Sequence, residues 1–248
     1  MFTLTTSISK RKEAILNYGK KRYFGHRLGS LSKFRSNSPG GHDMDGDKNL
    51  DTGEVDIKDM TFLAGDNEQS KGVEVDENRV HFYTSVNNAS VLELNKILRT
   101  LDIEMQCLSI RLKIPPIPIE LRIHSEGGDL FAGLAAVDAI RNIKTPIHTY
   151  VEGSAASAAT LMSICGTKRF MYRHSVMLIH QISSLMVHGT HEQFKDEMSN
   201  QALLMGKIEN LYVEKTKMSE EEIKDMLKHD LWLDSDTCLK LGLVDEVI

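Results

Sequence analysis

From Arg79 to the C-terminus, strand-like runs alternate with helix-like ones, which predicts an α/β fold. Short runs rich in β-branched and aromatic residues show period-two alternation and are bounded by Gly or Pro. The longer segments between them repeat apolar residues every three or four positions. Residues 1–78 show neither pattern, so the compact domain is expected over 79–248, preceded by a low-complexity extension.

Arg79–Thr84 alternates as a strand should, and 89–112 repeats Leu92, Leu94, Ile97, Leu98, Leu101 and Met105 at helical spacing, with Ser90 as its expected N-cap. Pro115, Pro116 and Pro118 end that helix. Ile119–His124 is the next strand, Ser125–Asp129 a turn, and the helix after it presents Leu130, Leu134, Val137 and Ile140 on one face. Pro146 introduces the strand Ile147–Val151, which leads through a glycine turn at Gly153 to the small-residue stretch around Ser157. Arg169–Tyr172 and Val176–Ile179 read as short strands. A long helix follows over about 190–215, carrying Phe194, Met198, Leu203, Met205, Ile208 and Leu211. A short helix begins at Ser219, with Glu220–Glu222 in its first turn where the dipole favours acids. A small helix near 236–241 and a strand over 243–247 close the chain.

The extension is uneven in charge. Residues 1–37 carry many Lys and Arg against the single acid Glu13, with no apolar run of the kind a secretory signal needs. That composition suits an organellar presequence, a disordered arm or a removable propeptide. Residues 39–78 are acidic and Gly-containing and read as a solvated linker. Within them Asp43, Asp45, Asp47, Asp51 and Glu54 fall at the oxygen positions of a calcium loop, but Lys48 replaces the mid-loop glycine and the Gly- and Pro-rich flanks do not suggest the helix pair such a loop needs, so no metal is expected. A net charge of −5 over 248 residues argues against a general nucleic-acid partner. No segment has the ~20 apolar residues of a membrane span. Cys107, Cys165 and Cys238 are far apart and odd in number, as in a reducing compartment.

An apolar strand, a glycine and then alanines raise Ser157 at the mouth of a helix, where unpaired N–H groups favour negative charge. A serine nucleophile needs such a place because its attack on a carbonyl develops an oxyanion. Ser154 and Ser163 compete with Ser157 on composition alone. Gly127-Gly128 is a strand-to-helix turn that can also offer a backbone N–H, with Ala158 N–H as a second donor. His180 ends an apolar strand and is one of 10 histidines; by itself such a residue is more often a hydrogen-bonded structural histidine than a base. Asp230, before Leu231-Trp232-Leu233, reads by itself as a turn or helix-end acceptor.

Taken together, His124-Ser125-Glu126-Gly127-Gly128, Glu152–Ala158, Val176–Gln181, Asp230–Leu233 and Gly242–Asp245 resemble, in order and spacing, the blocks of the proteolytic subunit of Clp protease, ClpP, from about Arg79 to Ile248. The resemblance implies the ClpP/crotonase fold of repeated β-β-α units, with the 190–215 helix as a protruding handle. It implies a serine endopeptidase with the triad Ser157, His180 and Asp230, an oxyanion hole from Gly127, Gly128 and Ala158, and no metal or organic cofactor. Members stack two rings of seven subunits, so a homo-oligomer or a mixed ring with another ClpP is implied, acting on short or unfolded polypeptides in the cytoplasm of a bacterial or phage-infected cell, with an organelle as the alternative.

The chain also departs from the family pattern. Glu126 and Ile182 stand where members usually have proline, and His229 stands where an arginine commonly precedes the aspartate. Two positions that are usually aromatic in the surface that docks an AAA+ Clp ATPase are Glu120 and Arg122, so altered docking is expected. The alternatives are an inactive or regulatory subunit that modifies a mixed ring and, more remotely, a crotonase-fold enzyme acting on an acyl-thioester.

Overall fold

The computed structural model describes residues 72–183 and 188–248. Nearly all of the basic and acidic extension, with its calcium-loop spacing, lies outside the described residues. Eight strands form one sheet: β1 (Val73–Asp76), β2 (Arg79–Phe82), β3 (Ile119–Ser125), β4 (Ile147–Ala156), β5 (Lys168–Met171), β6 (Val176–Leu178), β7 (Trp232–Leu233) and β8 (Glu246–Val247). The order is β1-β2-β3-β4-β5-β8, with β6 pairing β4 and β7 pairing β6. Strands β2 to β5 and β8 run parallel, whereas β1 is an antiparallel edge strand. Parallel neighbours require crossovers, and the helices supply them. These are α1 (Asn88–Leu112), α2 (Leu130–Asn142), α3 (Ala158–Ser163), α4 (His191–Lys215), α5 (Glu220–Met226) and α6 (Ser235–Leu241).

Period-two alternation decides which face of the sheet is covered. Along β3, Ile119, Leu121 and Ile123 are fully buried in the core with Leu94, Leu98 and Leu101 of α1 and Ala136 and Ile140 of α2. The alternate residues Glu120, Arg122 and His124 stand on the other face. The helix periodicity of α1 is real, but its phase differs from the sequence reading: Val91 is buried, while Leu92 faces solvent.

Sequence and structure differ at four boundaries. Strand β1 precedes the expected Arg79 start and pairs Val73 with Phe82 through Asp76 with Arg79, although Glu74 and Asp76 made it look like linker. The N-cap of α1 is Asn87, whose side chain accepts from Ala89 and Ser90 N–H, while Ser90 Oγ accepts from Asn87 N–H at 3.1 Å; the expected cap residue is the reciprocal partner in a capping box. β7 is a two-residue strand, too short to leave a period. The last strand shrinks to Glu246–Val247, because Gly242 caps α6 in the left-handed region and Leu243 N–H still bonds back to Cys238.

One half-buried carboxylate joins α1 to the turn before β4. Asp102 accepts from Thr145 N–H at 2.8 Å, Thr145 Oγ1 at 2.7 Å and Gln106 Nε2 at 2.7 Å. Burial pushes its carboxyl up, but these hydrogen bonds outweigh it and hold the group below the usual carboxylate range. A depressed folded value gives stability that is complete above the unfolded pKa of about 3.9 and is lost as pH falls through the folded value. Asp102→Asn should therefore flatten the acid limb of the stability-versus-pH curve below about pH 4, measured by denaturant unfolding across pH.

Candidate functional site

Strand β4 is long because two neighbours share it. Its first half pairs β5, from His148 with Lys168 to Val151 with Met171, and its last three residues pair β6, from Ser154 with Val176 to Ala156 with Leu178. The pairing ends on a hydrogen bond from Ser157 N–H to Leu178 C=O of 2.8 Å. Immediately afterwards the chain turns into α3, and Ser157 takes φ 52°, ψ −125°. A non-glycine residue there carries strain on the order of 1–3 kcal/mol, which the surroundings must over-determine. They do so by close packing: Ala155, Ala158 and Ala159 are buried, and a Cβ at Gly133 of α2 would lie 3.0 Å from Ala158 Cβ. A sharp strand-to-helix turn at a strained serine is the geometry of a nucleophile elbow. The competing serines are committed elsewhere: Ser163 Oγ donates to Thr160 C=O at 2.9 Å, and Ser154 is buried within β4.

The same register delivers the other two groups. β6 and β7 are antiparallel, with Met177 opposite Leu233 and Leu178 opposite Trp232. Two residues further along β6 and two back from Trp232, that register sets His180 against Asp230. The side chains meet, with His180 Nδ1 3.1 Å from Asp230 Oδ1. Gln181 N–H donates to Leu227 C=O at 2.8 Å, tying the segment after His180 to the loop that leads to Asp230. The imidazole is 27% exposed and the carboxylate 78% exposed, so the acid is well solvated and its electrostatic hold on the ring is screened.

The Gly127-Gly128 turn lies across from the elbow. Val86 N–H donates to Gly127 C=O at 2.7 Å and Val86 C=O accepts from Asp129 N–H at 2.8 Å. In such a parallel bridge the central N–H, that of Gly128, points away from Val86. The sequence reading also made Gly127 a donor to the oxyanion. Its N–H instead goes to Ser125 Oγ at 3.1 Å, and its role is steric: at φ 86° a Cβ would lie 2.5 Å from Ala156 O and 2.7 Å from Ser157 Cβ. Ala158 is the first residue of α3, so its N–H has no acceptor within the helix.

Gly128, Ser157, Ala158 and His180 line one cavity of about 590 Å³, walled also by Phe131, Leu161 and Ile208. Around it stand a hydroxyl-bearing residue on a strained turn, an imidazole whose Nδ1 is engaged by Asp230, and the backbone of Gly128 and Ala158. That is the equipment for acyl transfer. Sequence reasoning missed three neighbours: Phe131, because an aromatic in a first helical turn reads as core; Thr160, as one more small residue; and Tyr212, whose i+4 spacing from Ile208 was the available signal.

A family model described as Clp protease matches residues 77–248. The ATP-dependent Clp protease proteolytic subunit 1 of Chlamydia muridarum is 31% identical over 180 residues, covering 70% of this chain and 88% of that protein. The ATP-dependent Clp protease proteolytic subunit of Lactococcus lactis subsp. lactis is 34% identical over 133 residues, covering 52% of this chain and 67% of that protein. Among solved structures, a point mutant of ClpP1 from Listeria monocytogenes superposes with a TM-score of 0.57 at 26% identity, covering 67% of this chain and 88% of that one. The fold is therefore the ClpP/crotonase-like one.

Gly127→Ala forces a Cβ into the backbone beneath Ser157 at a φ that alanine disfavours. It should destabilise the protein by about 2 kcal/mol or more, read as a lower denaturation midpoint.

Proposed function

The chain belongs to the Clp protease family, and from that premise we propose that it is a serine endopeptidase subunit of a self-compartmentalised protease. It hydrolyses peptide bonds of short or unfolded polypeptides, with a chemical step that needs no ATP. The observation that carries the reading is the His180–Asp230 pair at 3.1 Å behind a ring that shares its cavity with the strained Ser157. In this reading His180 Nε2 takes the Ser157 proton as Oγ attacks the carbonyl carbon, and the oxyanion is held by Gly128 and Ala158 N–H. The proton passes to the leaving amine as the C–N bond breaks. Water, activated by the same imidazole, then hydrolyses the acyl-enzyme. Asp230 fixes the tautomer and stabilises the imidazolium.

Assembly is part of the proposal. Met198 and Leu203 of α4 and Ile103 and Ile110 of α1 are exposed. Apolar side chains in such numbers along two long helices favour burial against other subunits, in a homo-oligomeric double ring or a mixed ring with another ClpP. Work in the cytoplasm is consistent with the bacterial relatives; among the described residues no helix is long and apolar enough to cross a membrane.

Docking to a Clp ATPase is proposed to be altered. On the uncovered sheet face, Arg122 is bound to Glu120 at 2.9 Å, to Tyr172 OH at 3.1 Å and to Glu152, which also accepts from Tyr83 OH. Phe170 is present but stacked on Tyr150, with ring centres 4.6 Å apart. An apolar loop gains about 25 cal/mol per Å² by burial, and covering these charged groups would offset that gain. The regulatory reading, a subunit that modifies a mixed ring without cleaving, draws support from this polar face and from the exposure of Asp230.

Ser157→Ala and His180→Ala should each lower kcat/KM on a fluorogenic peptide by roughly 10⁴-fold or more. Asp230→Asn should lower it by about 10²–10³-fold, less than the ~10⁴ of a buried triad aspartate, because this carboxylate is solvated. Absence of fluorophosphonate labelling at Ser157, in the isolated protein and in mixed rings alike, favours the regulatory reading. Replacing both Glu120 and Arg122 by Tyr should tighten binding of a bacterial Clp ATPase, measured by calorimetry. Equal affinity before and after would remove the docking proposal.

A further inference from the structure

Behind Ser157 lies a buried chain of hydroxyls that the triad does not use. Thr160 is fully buried and Tyr212 is 2% exposed. Thr160 Oγ1 donates to Ser157 C=O at 2.6 Å, and Thr160 N–H donates to the same oxygen at 3.0 Å. Tyr212 OH is in hydrogen-bond contact with Thr160 Oγ1. A threonine hydroxyl has one hydrogen, and a carbonyl oxygen can only accept. The Thr160 hydrogen is therefore spent on Ser157, and Tyr212 must be the donor to Thr160. Burial raises the Tyr212 phenol above its usual range, so it keeps the proton that this direction requires. The chain runs one way: Tyr212 O–H to Thr160 Oγ1, then Thr160 O–H to Ser157 C=O.

Ser157 C=O and Ala158 N–H belong to one peptide group. That group is planar and trans, so its carbonyl and its N–H point in opposite directions. Whatever fixes the carbonyl on the buried side fixes the direction of the N–H on the cavity side. Ser157 is also held away from its preferred backbone region, so this peptide is inclined to rotate when released.

We propose that Thr160 and Tyr212 are positioning residues, a hydroxyl relay that locks the Ser157–Ala158 peptide plane and so aims the Ala158 N–H at the oxyanion. The inference rests on the serine peptidase reading and deepens it. Successive donors in one direction polarise each other, so the relay grips more firmly than the Thr160 bond alone. It also brings the nucleophile turn under the control of α4, the helix that carries Tyr212.

The test compares the full chain with Thr160→Val, which keeps the shape and removes the hydroxyl, Thr160→Ser, which restores it, and Tyr212→Phe. Ser157→Ala serves as the blank. The readouts are kcat and KM on a fluorogenic peptide, the melting temperature, and crystal structures of the unsubstituted protein and Thr160→Val. Thr160→Val should lower kcat about 10–30-fold with KM nearly unchanged, less than the ~10²–10³-fold of deleting an oxyanion donor outright. Thr160→Ser should recover most of that loss, and Tyr212→Phe should lose about 3–10-fold. A merely structural hydroxyl would lower the melting temperature and leave kcat within about twofold, and that result overturns the relay. If Thr160→Val does not fold, Tyr212→Phe decides by the same kcat criterion. If the unsubstituted protein cleaves no faster than Ser157→Ala, the peptidase reading falls by itself. The crystal structures then decide the relay: a Ser157–Ala158 peptide turned away from its original plane in Thr160→Val supports it, and an unmoved one overturns it.

Discussion

The hydrogen bond from Ser157 N–H to Leu178 C=O is the joint on which the site is built. It is the last rung between β4 and β6, and everything beyond it follows from where each strand goes next. β4 stops and turns, because α3 must pack its alanines against α2 at glycine-like distance. β6 continues for two residues to His180. β7, antiparallel to β6, arrives with Asp230 two residues before its own rung. Because side chains alternate along a strand, a slip of one residue in either pairing would turn His180 to the other face. The buried residues that fix the register, Met177 on β6, Ile179 just beyond it and Ala155 on β4, are thus as necessary to the site as the polar groups they carry into place.

The sheet divides labour between its faces. One is covered by α1, α2 and α3 and forms the core; the other carries an ion-pair network centred on Arg122. The charged cluster is tied within itself, so it lowers the incentive for an apolar partner to settle there without loosening the sheet beneath. The long helix α4 plays a different part. Ile208, Leu211 and Tyr212 anchor its C-terminal half, while Met198 and Leu203 are left in solvent. A helix anchored at one end and apolar at the other is suited to the proposed joining of subunits, and through Tyr212 and Thr160 its anchored end reaches the Ser157 turn.

Much of this was legible in the sequence where local physics decides. Alternation in 119–124 placed β3, the 3.6-residue period placed α1 and α4, and the glycine followed by alanines marked Ser157. The five blocks taken together brought His180 and Asp230 into one constellation that neither residue announces alone. The rest depended on partners distant in sequence. β1 carries two acids and becomes a strand only because β2 pairs with it. β7 is too short to have a period. Ser90 looks like a cap because capping boxes place good capping residues at both ends. Gly127 looks like a donor until Ser125 Oγ is found to hold its N–H. The pairing of Thr160 with Tyr212 spans 52 positions and leaves no local trace.

The most direct test of the central claim is a crystal structure of the protein after reaction with a fluorophosphonate. The account predicts a single adduct on Ser157 Oγ, with its phosphonyl oxygen within hydrogen-bond distance of both Gly128 N–H and Ala158 N–H and the His180 ring still against Asp230. An adduct on another residue, or one on Ser157 whose oxygen turns away from both amides, would contradict it.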